Sequence, residues 1–136
     1  MRNVHTDVAV LFANDAFYAA FSGRDLEAME QVWSQRKTVT CIHPGWTALS
    51  GREAVMESWR AILTNPQSPH VRISGAAAIV LGDVAYVVCY EHLSEAVLVA
   101  TNIFVRENDW WRLIHHQAGA SPRPVEAETD EPPPLQ

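Results

Sequence analysis

Residues 100–122 read ATNIFVRENDWWRLIHHQAGASP, and this stretch is the most informative about the fold. Apolar and β-branched residues flank the polar segment Glu107–Asp109, which predicts one strand over 96–106 and another over 110–118. Turns this short connect neighbouring antiparallel strands. The stretch therefore predicts the last two strands of an antiparallel sheet.

Upstream of this pair the same pattern continues. Strands are predicted over 70–81 and 84–93, with turns at Gly82-Asp83 and Ser94-Glu95, so the four strands form a meander. Before them the run TVTCIHP, residues 38–44, predicts one more strand, which Pro44 ends.

Three segments with helical periodicity precede or interrupt the strands. They lie at 5–21, from Asp25 to Trp33, and between Ser50 and Asn65. In the first helix the predicted apolar face excludes Asp7, Asn14 and Asp15 and contains Val8, Val10, Leu11, Phe12, Phe17 and Phe21. A single curved sheet that packs all three helices on one face would bury these stripes, so the fold class is α+β.

The 136 residues, 48% hydrophobic and 19% charged, fit one folded domain over 1–121. The proline-rich, acidic segment 122–136 cannot build a core and is predicted to be a mobile tail. The net charge of −6 comes without a Lys/Arg stripe, so we expect no nucleic-acid partner. Because no long apolar run or leader-like N-terminus is present, we expect a cytoplasmic protein with no membrane contact.

The six histidines and two cysteines do not form a metal-binding pattern. His115 and His116 are adjacent on a strand and point to opposite faces, and no Cys-x-x-Cys or His-x-x-x-His spacing occurs. No Gly-rich phosphate loop or nucleophile elbow is present either. We expect no metal and no cofactor, and we expect Cys41 and Cys89 to be free, buried thiols.

Three motifs carry a resemblance to a known superfamily: SGRDLEAMEQVW at 22–33, TCIHPGW at 40–46, and the stretch at 100–122. Together they resemble the nuclear transport factor 2-like superfamily, which includes ketosteroid isomerases, SnoaL-like polyketide cyclases and the association domain of calcium/calmodulin-dependent protein kinase II. The resemblance implies a cone-like curved antiparallel sheet, one N-terminal strand plus the four-strand meander, with three helices on its concave face around a cavity. It also implies a homodimer through the outer face of the sheet.

Strand parity places Ile114, His116 and Ala118 on one face of the last strand and His115 and Gln117 on the other, without deciding which face is inward. The resemblance to the kinase-association domains implies that His116 and Asn102 point inward, and that Tyr86, Val88 and Tyr90 do so on the second meander strand. Arginines that line the pocket of those domains are replaced here by Val88, Asn102 and Ala118, so we do not expect their carboxylate site.

The predicted pocket residues are His43, Trp46, Tyr86, Tyr90, Asn102 and His116. Four of them have an alternative role: His43 as a strand-end side chain bonded to the next loop, Trp46 as a core anchor, Asn102 and His116 as mutual partners. Tyr18 could supply the tyrosine that ketosteroid isomerases use, but the pair of aspartates that those enzymes need is not found at the predicted inward positions. Glu91 is placed on the outer face, where His115 or an arginine would be its partner.

These residues predict a domain that binds a small apolar or carbonyl-containing molecule in a cavity with few polar groups. In its enzymatic form it would be a cofactor-free acid-base isomerase, cyclase or hydratase, in which His116 or His43 moves a proton and Asn102 or Tyr90 polarises a carbonyl. The alternative is a non-catalytic dimerisation or protein-interaction domain, and a third possibility is a subunit of a larger enzyme. Since no carboxylate is predicted beside the histidine, the enzymatic form has the weaker support.

Overall fold

The computed structural model describes residues 4–124, with side chains from residue 7 onward. Its three helices are α1 (Val4–Ser22), α2 (Leu26–Val32) and α3 (Arg52–Thr64). Its strands are β1 (Thr40–Ile42), β2 (Leu49–Ser50), β3 (Arg72–Leu81), β4 (Val84–His92), β5 (Val97–Glu107) and β6 (Trp110–Ala120). Of the predicted tail, residues 125–136 lie outside the described residues.

The strands form one open, curved sheet in the order β2-β1-β6-β5-β4-β3. The antiparallel meander β3–β6 is confirmed, as are the α+β class and the three helices. Two details differ from the prediction. The sheet is mixed, because β1 runs parallel to β6, and it has a sixth strand, the two-residue β2, where no strand is predicted. A long connection separates β1 from β6, so no tight turn forces them to be antiparallel.

One stripe of α1 faces the sheet, and it matches the predicted apolar face only in part, at positions such as Val10 and Phe17. Val10, Asn14, Phe17 and Tyr18 are buried, whereas Phe12 is 72% exposed. The helix is apolar on most sides, so hydrophobic periodicity does not choose a face. Asn14 and Tyr18 point inward because polar groups on β4 and β5 bond to them there.

The register of the meander fixes which side chains face the helices. Val87 on β4 pairs with Asn102 on β5, and Asn102 pairs with His116 on β6. Directly paired residues share a face, so these three side chains lie on the same, buried side. The inward orientation predicted for Asn102 and His116 is therefore correct.

The same register corrects the prediction for β4. Because Val87 points inward, its neighbours Tyr86 and Val88 point to the outer face, and so does Tyr90. The buried set on this strand is instead Ala85, Val87, Cys89 and Glu91. Among residues 4–124, no helix is long and apolar enough to cross a membrane.

Candidate ligand-binding cleft

A cleft of about 210 Å³ opens between the end of α1, the loop after β1, α3 and the sheet. Most of its wall is apolar, formed by side chains such as Phe21, Ile62, Val71, Leu93 and Leu98. Three ionisable side chains also line it: His43, Glu91 and His116. Its composition is that of a small-molecule site, an apolar wall with a few polar groups.

Glu91 is held in the cleft by a tyrosine of α1. The Tyr18 hydroxyl donates to Oε2 of Glu91 over 2.5 Å, and both side chains are buried. The same hydroxyl oxygen accepts a hydrogen bond from Nδ2 of Asn102 at 3.1 Å. Tyr18 thus joins the carboxyl group of β4 to the amide of β5.

Asn102 is the centre of this buried cluster. Its Nδ2 also donates to Oδ1 of Asn14 at 2.9 Å, and its Oδ1 lies 2.6 Å from Nδ1 of His116. His116 is 1% exposed, and its ring packs against Phe17 at 4.9 Å between centroids. The far nitrogen of His116, Nε2, lies 4.0 Å from Oε2 of Glu91.

His43 enters from the end of β1. Its Nε2 lies 2.9 Å from the hydroxyl of Ser58 on α3, and that hydroxyl donates to the carbonyl of Val55 at 2.7 Å. Since the Ser58 hydrogen is used in this way, Nε2 of His43 is the donor in the pair. The ring stands edge-on to Trp59 and Trp46, each 4.8 Å away between centroids.

Burial drives all three ionisable groups toward their uncharged forms. It raises the pKa of Glu91, an effect that the hydrogen bond from Tyr18 partly opposes. It lowers the pKa of His43 to about 4. The pKa of His116 falls to about 3, mainly through burial and secondarily through the positive charge that His43 or His115 would carry. A neutral imidazole and a carboxyl group of weakened acidity therefore face each other across the cleft.

The structure brings together only some of the predicted pocket residues. His43 and His116 line the cleft, and Trp46, 47% exposed, stands at its rim. Asn102 is fully buried behind His116 and is not part of the wall. Tyr86 and Tyr90 lie on the opposite face of the sheet.

The predicted position of the Glu91 carboxyl group is wrong. Glu91 was expected on the outer face, yet it points into the cleft beside His116, because Val87, Cys89 and Glu91 share the buried face of β4. The signal that could have revealed this is the register: once Asn102 is inward, its partner Val87 must be inward, and Glu91 follows four residues later.

Two further features lie outside this cluster. A second cleft, of about 390 Å³, runs along the outside of α1 past Phe12 and Trp110, and none of the three ionisable groups reaches it. Within the described part of the chain, no three His, Cys, Asp or Glu side chains are grouped so as to hold a metal ion. Cys41 and Cys89 are free and buried, and burial raises the pKa of both thiols.

The curved sheet, the three helices and the cleft between them define the class of this protein. A model of the SnoaL-like domain family matches residues 10–122, nearly the whole described chain. The chain belongs to the SnoaL-like domain family, within the nuclear transport factor 2-like group.

Particular relatives are similar over most of this chain. A proposed dehydratase of the nuclear transport factor 2-like family from Streptomyces avermitilis is 32% identical, with 88% of this chain and 98% of that chain covered and a TM-score of 0.80. A proposed calcium/calmodulin-dependent protein kinase type II association domain from Thiobacillus denitrificans is 33% identical, with coverage of 81% and 93% and a TM-score of 0.73.

A curated relative is the F-box protein SKIP8 of Arabidopsis thaliana. It is 27% identical over 115 residues, which are 83% of this chain. The match covers 50% of that protein, so the chain spans about half the length of the curated relative it matches.

Proposed function

We propose that this chain binds a small, largely apolar molecule in the cleft and transfers protons on it as a cofactor-free acid-base enzyme. One observation carries the proposal: His43, Glu91 and His116 converge on an otherwise apolar cleft. Buried ionisable groups are costly, and their concentration at a concave site is typical of catalytic centres.

Glu91 and His116 have complementary tasks in this proposal. Nε2 of the neutral His116 accepts a proton from the ligand, and Glu91, whose raised pKa favours the acid form, donates a proton to a ligand oxygen. Because the cleft is apolar, charge that develops on either group is poorly screened and is felt strongly by the other. Asn102 and Tyr90, considered above for polarising a carbonyl, are respectively buried behind His116 and on the far face, so Glu91 takes that role.

Elimination of water is the reaction class with the best support, because a relative covered over 98% of its length is a proposed dehydratase. His116 would take a proton from the carbon beside a carbonyl, a carbon–carbon double bond would form, and the hydroxyl group would leave as water with the proton from Glu91. Proton transfer from the imidazolium to the carboxylate then restores both residues. Keto–enol isomerisation uses the same two groups without the leaving hydroxyl.

Deuterium exchange tests the proposal without knowledge of the natural substrate. The chain is incubated in D₂O with a panel of neutral hydroxyketones and cyclic ketones, and NMR follows exchange at carbon. Exchange in the wild type that falls by about a hundredfold or more in both Glu91→Gln and His116→Gln supports acid-base catalysis. Tyr86→Phe, on the opposite face of the same sheet, is the matched control. Equal rates in all four proteins, including rates no faster than buffer, would contradict it.

A homodimer through the outer face of the sheet is also proposed. Apolar side chains on this face remain exposed, and four of them exceed a third exposure: Ile79, Leu81, Val84 and Val88. A contiguous apolar surface of this kind marks protein–protein contacts. The same surface supports the second candidate, a non-catalytic interaction domain, which the exchange experiment separates from the enzyme.

A further inference from the structure

The buried hydrogen bonds around Asn102 have a defined direction. The Nδ2 group of Asn102 has two hydrogens, and its two partners are Oδ1 of Asn14 at 2.9 Å and the Tyr18 oxygen at 3.1 Å. The single hydrogen of the Tyr18 hydroxyl is given to Glu91. Both contacts of Nδ2 are therefore with acceptors, and the other amide atom of Asn102 must be the oxygen.

If Nδ2 and Oδ1 of Asn102 exchanged places, the hydrogen bonds to Asn14 and Tyr18 would be lost. While Tyr18 donates to Glu91, an oxygen in place of Nδ2 would face the Tyr18 oxygen, whose hydrogen is already used, and the carbonyl oxygen of Asn14. The orientation of Asn14 agrees with this direction, because its Nδ2 points to Sγ of Cys89 at 3.9 Å and the thiol of Cys89 donates in turn to the Tyr18 oxygen at 3.5 Å. Leaving buried acceptors unpaired is unfavourable, so these contacts favour this direction.

The orientation of Asn102 determines which ring nitrogen of His116 carries the hydrogen. Its Nδ1 lies 2.6 Å from Oδ1 of Asn102, a pure acceptor, so Nδ1 carries the hydrogen. In a neutral imidazole the other nitrogen then has a lone pair and no hydrogen. Among the described residues this Nε2 has no hydrogen-bond donor, and Oε2 of Glu91 lies 4.0 Å from it.

We infer that Asn14 and Asn102 are positioning residues that hold His116 as the Nδ1–H tautomer, so that the cleft presents a bare Nε2 to its ligand. A neutral ligand can hydrogen-bond to this nitrogen only through a donor, a hydroxyl or an N–H group; in the proposed reaction the acidic C–H beside the carbonyl then reaches the same nitrogen. A carbonyl or carboxylate oxygen at the same place would face a lone pair. The cleft accordingly selects neutral compounds that have a hydroxyl or amide N–H group on an apolar body; this ligand assignment rests on the proposed function of the cleft.

The tautomer is read directly from the long-range ¹⁵N–¹H NMR spectrum of the full, uniformly ¹⁵N-labelled chain near neutral pH. The expected spectrum has His116 with a protonated Nδ1 and an unprotonated Nε2. A protonated Nε2, either as the other tautomer or as imidazolium, overturns the inference. This measurement needs no variant and no turnover, so it stands even if every substitution in the cluster fails to fold.

Asn102→Asp tests the positioning role. A carboxylate beside Nδ1 favours the imidazolium, so the pKa of His116 should rise by about 1–3 units and Nε2 should gain a hydrogen at a higher pH than in the wild type. Asn108→Asp, at the exposed turn between β5 and β6, is the matched control and should leave the titration of His116 unchanged. An Asn102→Asp chain that folds and titrates at His116 like the wild type would contradict the positioning role.

Two probes of similar shape test the ligand class. Cyclohexanol offers a hydroxyl donor, whereas methoxycyclohexane offers only an acceptor. Cyclohexanol should shift the Nε2 resonance of His116, and the ether should not. Equal responses, including none from either probe, overturn the ligand assignment. If the tautomer and the alcohol response are found but deuterium exchange is absent, the inference stands and the proposed catalysis fails.

Discussion

Acidification from pH 7 to pH 5 should destabilise this fold through two buried histidines. In the folded chain the pKa of His116 is about 3 and that of His43 is about 4. In the unfolded chain both return to roughly 6.5. At pH values between the folded and the unfolded pKa of each histidine, the unfolded state binds a proton that the folded state does not. The free energy of unfolding therefore falls as the pH falls.

The size of the effect follows from the shifts. A pH of 5 is about 1.5 pH units below the pKa of an unfolded histidine, and each unit corresponds to about 1.4 kcal/mol of the free energy of unfolding. His43 and His116 should therefore each remove about 2 kcal/mol between pH 7 and pH 5. Small domains are stable by only about 5–15 kcal/mol, so a combined loss of about 4 kcal/mol is large enough to measure.

Urea denaturation at pH 7, 6 and 5 measures this loss. The variant His116→Gln should lose about 2 kcal/mol less than the wild type over the same range, because glutamine does not titrate. His70→Gln, at an exposed position in the loop before β3, should lose as much as the wild type. The same pH dependence in all three proteins would show that His116 does not resist protonation in the fold.

Three further results are expected. Because burial raises the pKa of Glu91, the folded chain holds a proton that the unfolded chain releases. The contribution of this carboxyl group to stability is full below its unfolded pKa and is lost as the pH rises through its folded pKa, and Glu91→Gln should abolish this loss in urea titrations. Tyr18→Phe removes the donor to Glu91 and the acceptor for Asn102, and should cost about 1–3 kcal/mol in thermal or urea denaturation, against less than about 0.5 kcal/mol for Tyr86→Phe. If the outer sheet face forms the dimer, Val88→Lys should lower the mass in sedimentation to that of one chain, and an unchanged mass would exclude this surface.

The sequence predicted the helices, the meander and the strand parity of β6, because short turns and two-residue alternation are local properties. It did not predict the parallel pairing of β1 with β6, which depends on how a long connection folds back. The buried face of α1 was predicted correctly only in part, at Val10 and Phe17. Phe12 is apolar yet exposed, and Asn14 is polar yet buried, since the interior that α1 covers is itself polar at that point.

The cleft was only partly predictable for a related reason. His116 and Asn102 are directly paired, and parity with the family resemblance oriented them correctly. The prediction placed Tyr86 on the inner face of β4 and Glu91 on the outer face, and the structure has them the other way round. The faces of β4 and β5 were predicted independently, without the pairing register that links the two strands. The contact of Tyr18 with Glu91 joins residues 73 positions apart, and no local pattern in the sequence specifies it.

In the proposed function Glu91 and His116 together hold a small neutral ligand in the cleft. A crystal structure of the chain soaked with a cyclic hydroxyketone tests this most directly. The expected result is ligand density in the cleft, with oxygen atoms within about 3.2 Å of Glu91 and of Nε2 of His116. Ligand bound only in the outer cleft beside Phe12 and Trp110, with water alone between Glu91 and His116, would contradict it.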